Sequence, residues 1–257
     1  MKKIIIILLF LLTLIDSWSQ QKYTLNKVHS HNDYWQKRPF YLAYQHGLGS
    51  VEADTYLWNG QLLVAHDTID IKQENSLEKL YLQPLTKELN IRHGYPFRDT
   101  SLSMQLLIEL KSAPDKELKA IDTLLQKFPS LIFNKKVQLV FTGNTPSENA
   151  IKEAPSYLHF DGQISKVYSP LLLAHMSMLS DNLEEFIHWD GSVPLTSKQK
   201  SVLVKNVRKI HKLGKKIRFW NAPDNPLAWK ELMQLDVDYI NTDHIESIAQ
   251  FFDSKMN

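Results

Sequence analysis

The stretch Val28-His29-Ser30-His31-Asn32-Asp33-Tyr34 sets two histidines two residues apart, between a short apolar lead-in and turn-forming polar residues. In a strand, side chains at i and i+2 share a face, so His29 and His31 project together. The same spacing recurs downstream. Glu52 and Asp54 sit in Ser50-Val51-Glu52-Ala53-Asp54-Thr55-Tyr56, and Glu109 and Lys111 end Met104-Gln105-Leu106-Leu107-Ile108-Glu109-Leu110-Lys111. Each pair puts two ionisable groups on one face of an apolar strand. Charge in such a place is costly unless it is paired or bound to a metal. Three pairs of this kind point to one shared polar site.

Working outward, short strand-like runs alternate with helical segments. Strands are expected at 27–31, 51–56 (extended by 62–65), 105–110, 137–141, 157–160, 186–189, 216–220 and 237–241. Helices are expected at 40–46, 115–128, just after Pro146, and at 170–180, 196–213, 226–235 and 244–252. The 196–213 helix carries the clearest signals: Thr196 as cap, Gln199 three residues on, and Gly214 as stop. Eightfold alternation of strand and helix argues for parallel strands with helical crossovers. The expected fold class is α/β, a single-domain (β/α)8 TIM-type barrel. A doubly wound open sheet is the competitor, but the chain has only 8 Gly and no glycine-rich phosphate loop. Residues 68–103 form a longer connection than usual. They are expected either to cover one side of the barrel mouth or to be a solvated insertion.

Composition excludes several classes. With 30 Lys and Arg against 28 Asp and Glu, the net charge of +2 gives no electrostatic case for nucleic acid. The absence of cysteine excludes disulfides, thiolate metal sites and a lipoprotein anchor. Met1-Lys2-Lys3, an apolar run from Ile4 to Ile15 and Ser17-Trp18-Ser19 read as a secretory signal over residues 1–19, with a single domain over 20–257. The apolar run is short of the roughly 20 residues that span a bilayer, which makes an uncleaved membrane anchor the lesser alternative. The expectation is therefore an exported, periplasmic protein without a membrane-spanning segment after processing.

In a (β/α)8 barrel, chemistry gathers at the C-terminal ends of the strands. His31, Glu52, Asp54, His66, Glu109 and Trp220 all fall there on this reading. Glu52, Asp54 and Glu109 form an oxygen-donor set of the kind that Mg²⁺ or Ca²⁺ prefers. The alternative is a structural ion network with Lys111 or a neighbouring arginine. His31 and His66 would be the proton-transfer pair, because histidine titrates nearest neutral pH.

The ordered series His31-Asn32-Asp33, Glu52-x-Asp54, His66-Asp67 and Glu109-x-Lys111 resembles the glycerophosphodiester phosphodiesterases, within the superfamily of phosphatidylinositol-specific phospholipase C and the sphingomyelinase D toxins. His-Ser-His-Asn-Asp-Tyr, Ser-Val-Glu-Ala-Asp and Leu-Val-Ala-His-Asp are similar to the branch typified by altered inheritance of mitochondria protein six. The resemblance runs from about residue 27 to 252. It implies a phosphoric diester hydrolase with one divalent cation, Mg²⁺ or Ca²⁺, held by Glu52, Asp54 and Glu109. It implies His31 and His66 as acid and base, and Lys111, His29, Asn32 and Trp220 around a small-molecule or lipid-derived phosphodiester. Where the common pattern has His-Arg-Gly, this chain has His31-Asn32-Asp33, so the phosphate-binding arginine is missing. Two other readings stay open. His29-x-His31 could be a metal-ligand pair, as in amidohydrolase-like or polymerase-histidinol-phosphatase-like hydrolases. The barrel could also be a non-catalytic envelope binding protein.

Overall fold

The computed structural model describes residues 23–256, so the expected signal segment lies outside the described residues. The strands are β1 (Val28–Ser30), β2 (Ser50–Trp58), β3 (Gln61–Val64), β4 (Met104–Leu110), β5 (Val137–Gly143), β6 (Leu158–Gln163), β7 (Met176–Asn182), β8 (Lys216–Trp220) and β9 (Ile240–Thr242). Their order in the sheet is β8-β7-β6-β5-β4-β2-β1-β9, parallel throughout, with β3 attached antiparallel to β2. A parallel bridge from Arg218 to Tyr239 joins the two ends of that path. Eight strands thus close into a barrel, as expected, and the open-sheet alternative is not formed. Because consecutive parallel strands lie side by side, the chain must return outside the barrel after each one. It does so through α1 (Tyr41–His46), α2 (Gln83–Ile91), α3 (Pro114–Leu125), α4 (Pro129–Ile132), α5 (Glu148–Glu153), α6 (Pro170–His175), α7 (Ser197–Lys212) and α8 (Pro226–Gln234), and ends in α9 (Ile245–Met256).

Local chemistry fixes several of these boundaries. The Thr196 side chain accepts from Gln199 N while the Gln199 side chain reaches back to Thr196, a complete capping box at the start of α7. Gly214 follows its end with φ at +67°, a conformation glycine adopts without steric cost. Strand alternation then separates two cores. Val51, Leu106, Ile108, Phe141 and Phe219 are buried in the main apolar cluster with the helices, while Leu107, Val140, Met178 and Tyr239 form a second cluster of their own. The opposite faces of the same strands carry the polar residues described below.

Three expectations are corrected. Residues 186–189 are not a strand; the sixth barrel strand is Met176–Asn182, which was expected to continue the 170–180 helix. Ser169 caps a helix of only six residues, after which the backbone of Met176 is already extended. Leu before His175 and Met and Leu after it hid the change of period. Residues 62–65 do not extend β2 in line. Asn59 (φ +47°) and Gly60 (φ +78°) turn the chain so that β3 folds back on β2, the behaviour of an Asn-Gly hairpin turn. Finally, residues 68–103 are not a solvated insertion. They carry the crossover helix between β3 and β4, with Leu77, Tyr81, Leu82, Leu85 and Leu89 buried in the main core.

Candidate active site

The hairpin explains how the acidic centre is built. Glu52 and Asp54 alternate with Val51 and Ala53 along β2, so the apolar pair faces the helices and the acidic pair faces inward. In the parallel ladder Asp54 pairs with Glu109 of β4. Each of Glu52, Asp54 and Glu109 offers a carboxylate oxygen, and the three oxygens lie within 4.8 Å of one another. Lys111 Nζ stands 3.2 Å from Asp54 Oδ2 and 3.3 Å from Glu109 Oε1. Gly143 leaves room for Glu109. A Cβ there would sit 2.5 Å from Glu109 Cγ and 2.9 Å from the Leu110 carbonyl oxygen, at φ +79°.

These carboxylates are crowded beyond what one lysine neutralises. Burial, followed by the charges of Glu52 and Glu109, pushes Asp54 up to about 7, against a smaller opposing effect of Lys111. Burial and the Glu52 charge also raise Glu109. Asp54 Oδ1 is buried with no hydrogen-bond partner. A cluster of three oxygen donors, one of them orphaned, fits a hard divalent cation. Among the described residues, this is the group that could hold a metal.

The two expected acid–base histidines approach this centre from different elements. The β3 hairpin delivers His66: Thr55 pairs with Val64, and Ala65 N donates to the Asp54 carbonyl at 3.2 Å. His66 Nδ1 is then 3.3 Å from Asp54 Oδ2 and 3.2 Å from the Tyr34 hydroxyl. His31 follows β1, and its Nδ1 is 2.9 Å from Asp243 Oδ1, just beyond β9. Burial alone would lower His31, but the Asp243 hydrogen bond and the Glu52 charge outweigh it and hold its pKa above the ordinary value. With Nδ1–H given to Asp243, Nε2 is the ring nitrogen left for proton transfer. The Tyr34 hydroxyl, 2.9 Å from Asp54 Oδ2 and 2.6 Å from Asn32 Oδ1, ties the β1 loop to the acidic centre.

The structure places His29 away from the mouth. It is fully buried, with Nδ1 2.7 Å from Ser50 Oγ and Nε2 2.7 Å from Glu52 Oε2. Gln105 Nε2 donates to Ser50 Oγ at 3.0 Å, and Arg218 Nη1 lies 2.9 Å from His29 Nε2. Burial and the neighbouring Arg218 charge lower His29 to about 4, so it is neutral. Both ring nitrogens are therefore engaged by protein, and the alternative His29-x-His31 metal pair is not assembled. Asn32 is also buried; its amide reaches His31 and Tyr34. Lys111 and the half-exposed Trp220 remain near the strand ends where substrate would enter.

Arg218 of β8 lies between two buried carboxylates. Its Nη1 is 3.6 Å from Glu52 Oε2, and its Nη2 is 3.5 Å from Asp161 Oδ2. The side chains of all three are no more than 4% exposed. Burial would raise Glu52, but the His29 hydrogen bond and the Arg218 charge hold it well below the usual carboxylate range. Glu52 is thus pinned as an anion at one oxygen.

A family model for the AIM6-like phosphodiesterase domain matches residues 20–161, more than half of the chain. The chain belongs to the AIM6-like phosphodiesterase domain family. A second model, for the glycerophosphoryl diester phosphodiesterase family, matches residues 216–246. "Altered inheritance of mitochondria protein 6" of Eremothecium gossypii is 30% identical, over 88% of this chain and 69% of that protein. The Arthroderma benhamiae homolog is 25% identical, over 88% and 83%. Crystal structures of glycerophosphodiester phosphodiesterases from Parabacteroides distasonis and Agrobacterium tumefaciens share the fold. Their TM-scores are 0.54 and 0.51 at 16% and 18% identity; they cover 90% of this chain and 98% and 100% of theirs.

Within this AIM6-like domain, the residues that sequence reasoning missed are Arg218, Asp243, Asp161 and Tyr34. Arg218 had a visible signal: it shares the inward face of β8 with Trp220, two residues on. Asp243 had none, because its partner lies 212 residues away.

Proposed function

We propose that this AIM6-like domain is a metal-dependent phosphoric diester hydrolase acting on a small-molecule or lipid-derived phosphodiester. The observation that carries the reading is the convergence of Glu52, Asp54 and Glu109 with two histidines, each oriented by a different carboxylate. A divalent cation, Mg²⁺ or Ca²⁺, held by Glu52, Asp54 and Glu109 would supply charge stabilisation for the phosphoryl oxygens. Lys111 adds a second positive group for a phosphate oxygen, in the absence of an arginine at the His31-Asn32-Asp33 motif. His31 and His66 divide the proton work. One takes the proton of the attacking water or hydroxyl, and the other returns one to the leaving alkoxide. Asp243 fixes the His31 ring so that Nε2 performs its share. His29 contacts no substrate; with Arg218 it holds Glu52. Trp220 flanks the substrate. Trp35, 60% exposed with its ring 5.1 Å from that of His66, offers an apolar wall beside it. Export through the N-terminal segment belongs to the same proposal, and N-terminal sequencing of envelope-fraction protein tests it.

Turnover on a panel of glycerophosphodiesters, lysophospholipids and phosphoinositides, read by mass spectrometry with and without Mg²⁺ or Ca²⁺, is the direct test. Cation-dependent cleavage that falls about 10²–10⁴-fold in His31→Gln and in His66→Gln is expected. Cation affinity should stay nearly unchanged in both. Loss of the cation in His31→Gln with full activity in His66→Gln would refute the assignment of roles.

A further inference from the structure

The positive charge of this chain is concentrated away from the catalytic mouth. Residues 197–216 carry eight Lys and Arg and no Asp or Glu, whereas the rest of the chain holds 22 Lys and Arg against 28 Asp and Glu. A nearly neutral protein is thus a strongly cationic helix, α7, carried on an acidic body. Its inward side is fixed by Leu203, Val207 and Ile210, all buried. Its outer side presents a shallow groove lined by Ser201, Val204, Lys205, Arg208 and Lys212.

Not all of this charge is available. Lys200 pairs with Glu231, Lys209 donates to the Ile164 carbonyl, and Lys215 and Lys216 donate to the Met176 carbonyl and the Tyr239 hydroxyl. Lys205, Arg208 and Lys212 are exposed and, among the described residues, make no side-chain hydrogen bond or ion pair. Their spacing of three and four residues sets them in one row along a helix about 24 Å long. Stacking like charges in this way destabilises a helix unless an external anion offsets it.

We infer that this row is a docking surface for an anionic lipid bilayer. Leu203, Val207 and Ile210 pack the helix onto the barrel along its length, which leaves the cationic row on its outer side. No Phe, Tyr or Trp lies in the helix for base stacking. Val204 and the 43% exposed Leu213 stand among the cations, the mixture an interfacial face uses against headgroups and the first carbons of lipid. The surface is independent of the catalytic residues.

The test is co-sedimentation of the purified protein with phosphatidylcholine vesicles, with and without added phosphatidylglycerol. Binding is expected on the anionic vesicles and should be abolished in about 1 M salt, where the Debye length falls to roughly 3 Å. Each basic residue strengthens partitioning about fivefold. The Lys205→Gln/Arg208→Gln/Lys212→Gln variant should therefore bind roughly a hundredfold more weakly, with an unchanged circular dichroism spectrum and melting curve. The Lys119→Gln/Lys127→Gln/Lys135→Gln variant loses the same net charge from exposed residues elsewhere and should bind as the parent does. Equal binding to both vesicle types, equal weakening by the two variants, or selective binding of duplex DNA over anionic vesicles would each overturn the proposal.

Discussion

Replacing Arg218 by methionine tests whether a buried cation beneath the acidic centre holds it together. The guanidinium faces Glu52 at 3.6 Å and Asp161 at 3.5 Å. At an effective dielectric of about 20, each such contact amounts to roughly 5 kcal/mol of attraction before desolvation is charged against it. Breaking a buried pair by removing one partner costs about 3–5 kcal/mol, because the other charge stays behind. Here two carboxylates stay behind. Both keep other hydrogen bonds, Glu52 to His29 and Asp161 to Thr142 and Ser180, which favours the lower part of that range. For a domain of this size, about 3 kcal/mol corresponds to a fall in Tm of roughly 6–12 °C. The assay is thermal and urea unfolding in EDTA, repeated with Mg²⁺ or Ca²⁺. With Arg218 gone the centre holds one more uncompensated negative charge, so the stabilisation by added cation should exceed that of the parent. Arg218→Lys should fall between the two, since an ammonium is a point charge and does not span both carboxylates. A loss below about 1 kcal/mol, or a cation effect no larger than the parent's, would refute the account of Arg218.

Asp54 gives a pH dependence with a defined sign. Its folded pKa, about 7, lies above the unfolded carboxylate value of about 3.9, so the folded state holds the extra proton between them. In EDTA, its contribution to stability should be complete below about pH 4 and lost as pH rises through 7, whereas cation binding should strengthen over the same interval. Unfolding curves and calorimetric titrations across that range check both signs, and a cation affinity independent of pH would contradict them. Gly143→Ala should displace Glu109 and weaken cation binding at least tenfold, because the new Cβ collides with Glu109 Cγ and strains a backbone at φ +79°; calorimetry reads the change. Asp243→Asn should lower kcat about 10–10²-fold by loosening the His31 ring, moving the His31 limb of the pH–rate profile down while leaving cation affinity unchanged.

Much of the fold was legible because parallel barrel strands announce themselves one at a time. Val51-Glu52-Ala53-Asp54 shows its inward and outward faces by simple alternation, and Thr196, Gln199 and Gly214 bracket α7 by chemistry confined to a few residues. The strand at Met176–Asn182 was not legible. It follows directly on a six-residue helix, with Leu before the junction and Met and Leu after it, and only pairing with β6 and β8 makes it a strand. The connection over 68–103 was only partly legible for a related reason: its leucines announce burial but not the surface they are buried against.

The candidate site divides in the same way. The sequence by itself determined which groups could do chemistry: three carboxylates, a lysine and the histidines His31 and His66, placed at strand ends by period-2 spacing. It did not determine their pairing. His29 and His31 are indistinguishable at sequence level, yet one is sealed beneath Glu52 and the other faces the mouth against Asp243. Arg218 meets His29 across 189 residues, and Asp243 meets His31 across 212. Closure of the barrel between β8 and β9 brings these partners together, and closure is a property of the whole sheet rather than of any local stretch. Hydrogen bonds and buried charges act over about 3–4 Å, so their consequences for protonation and cation binding were decided only when the tertiary structure set those distances.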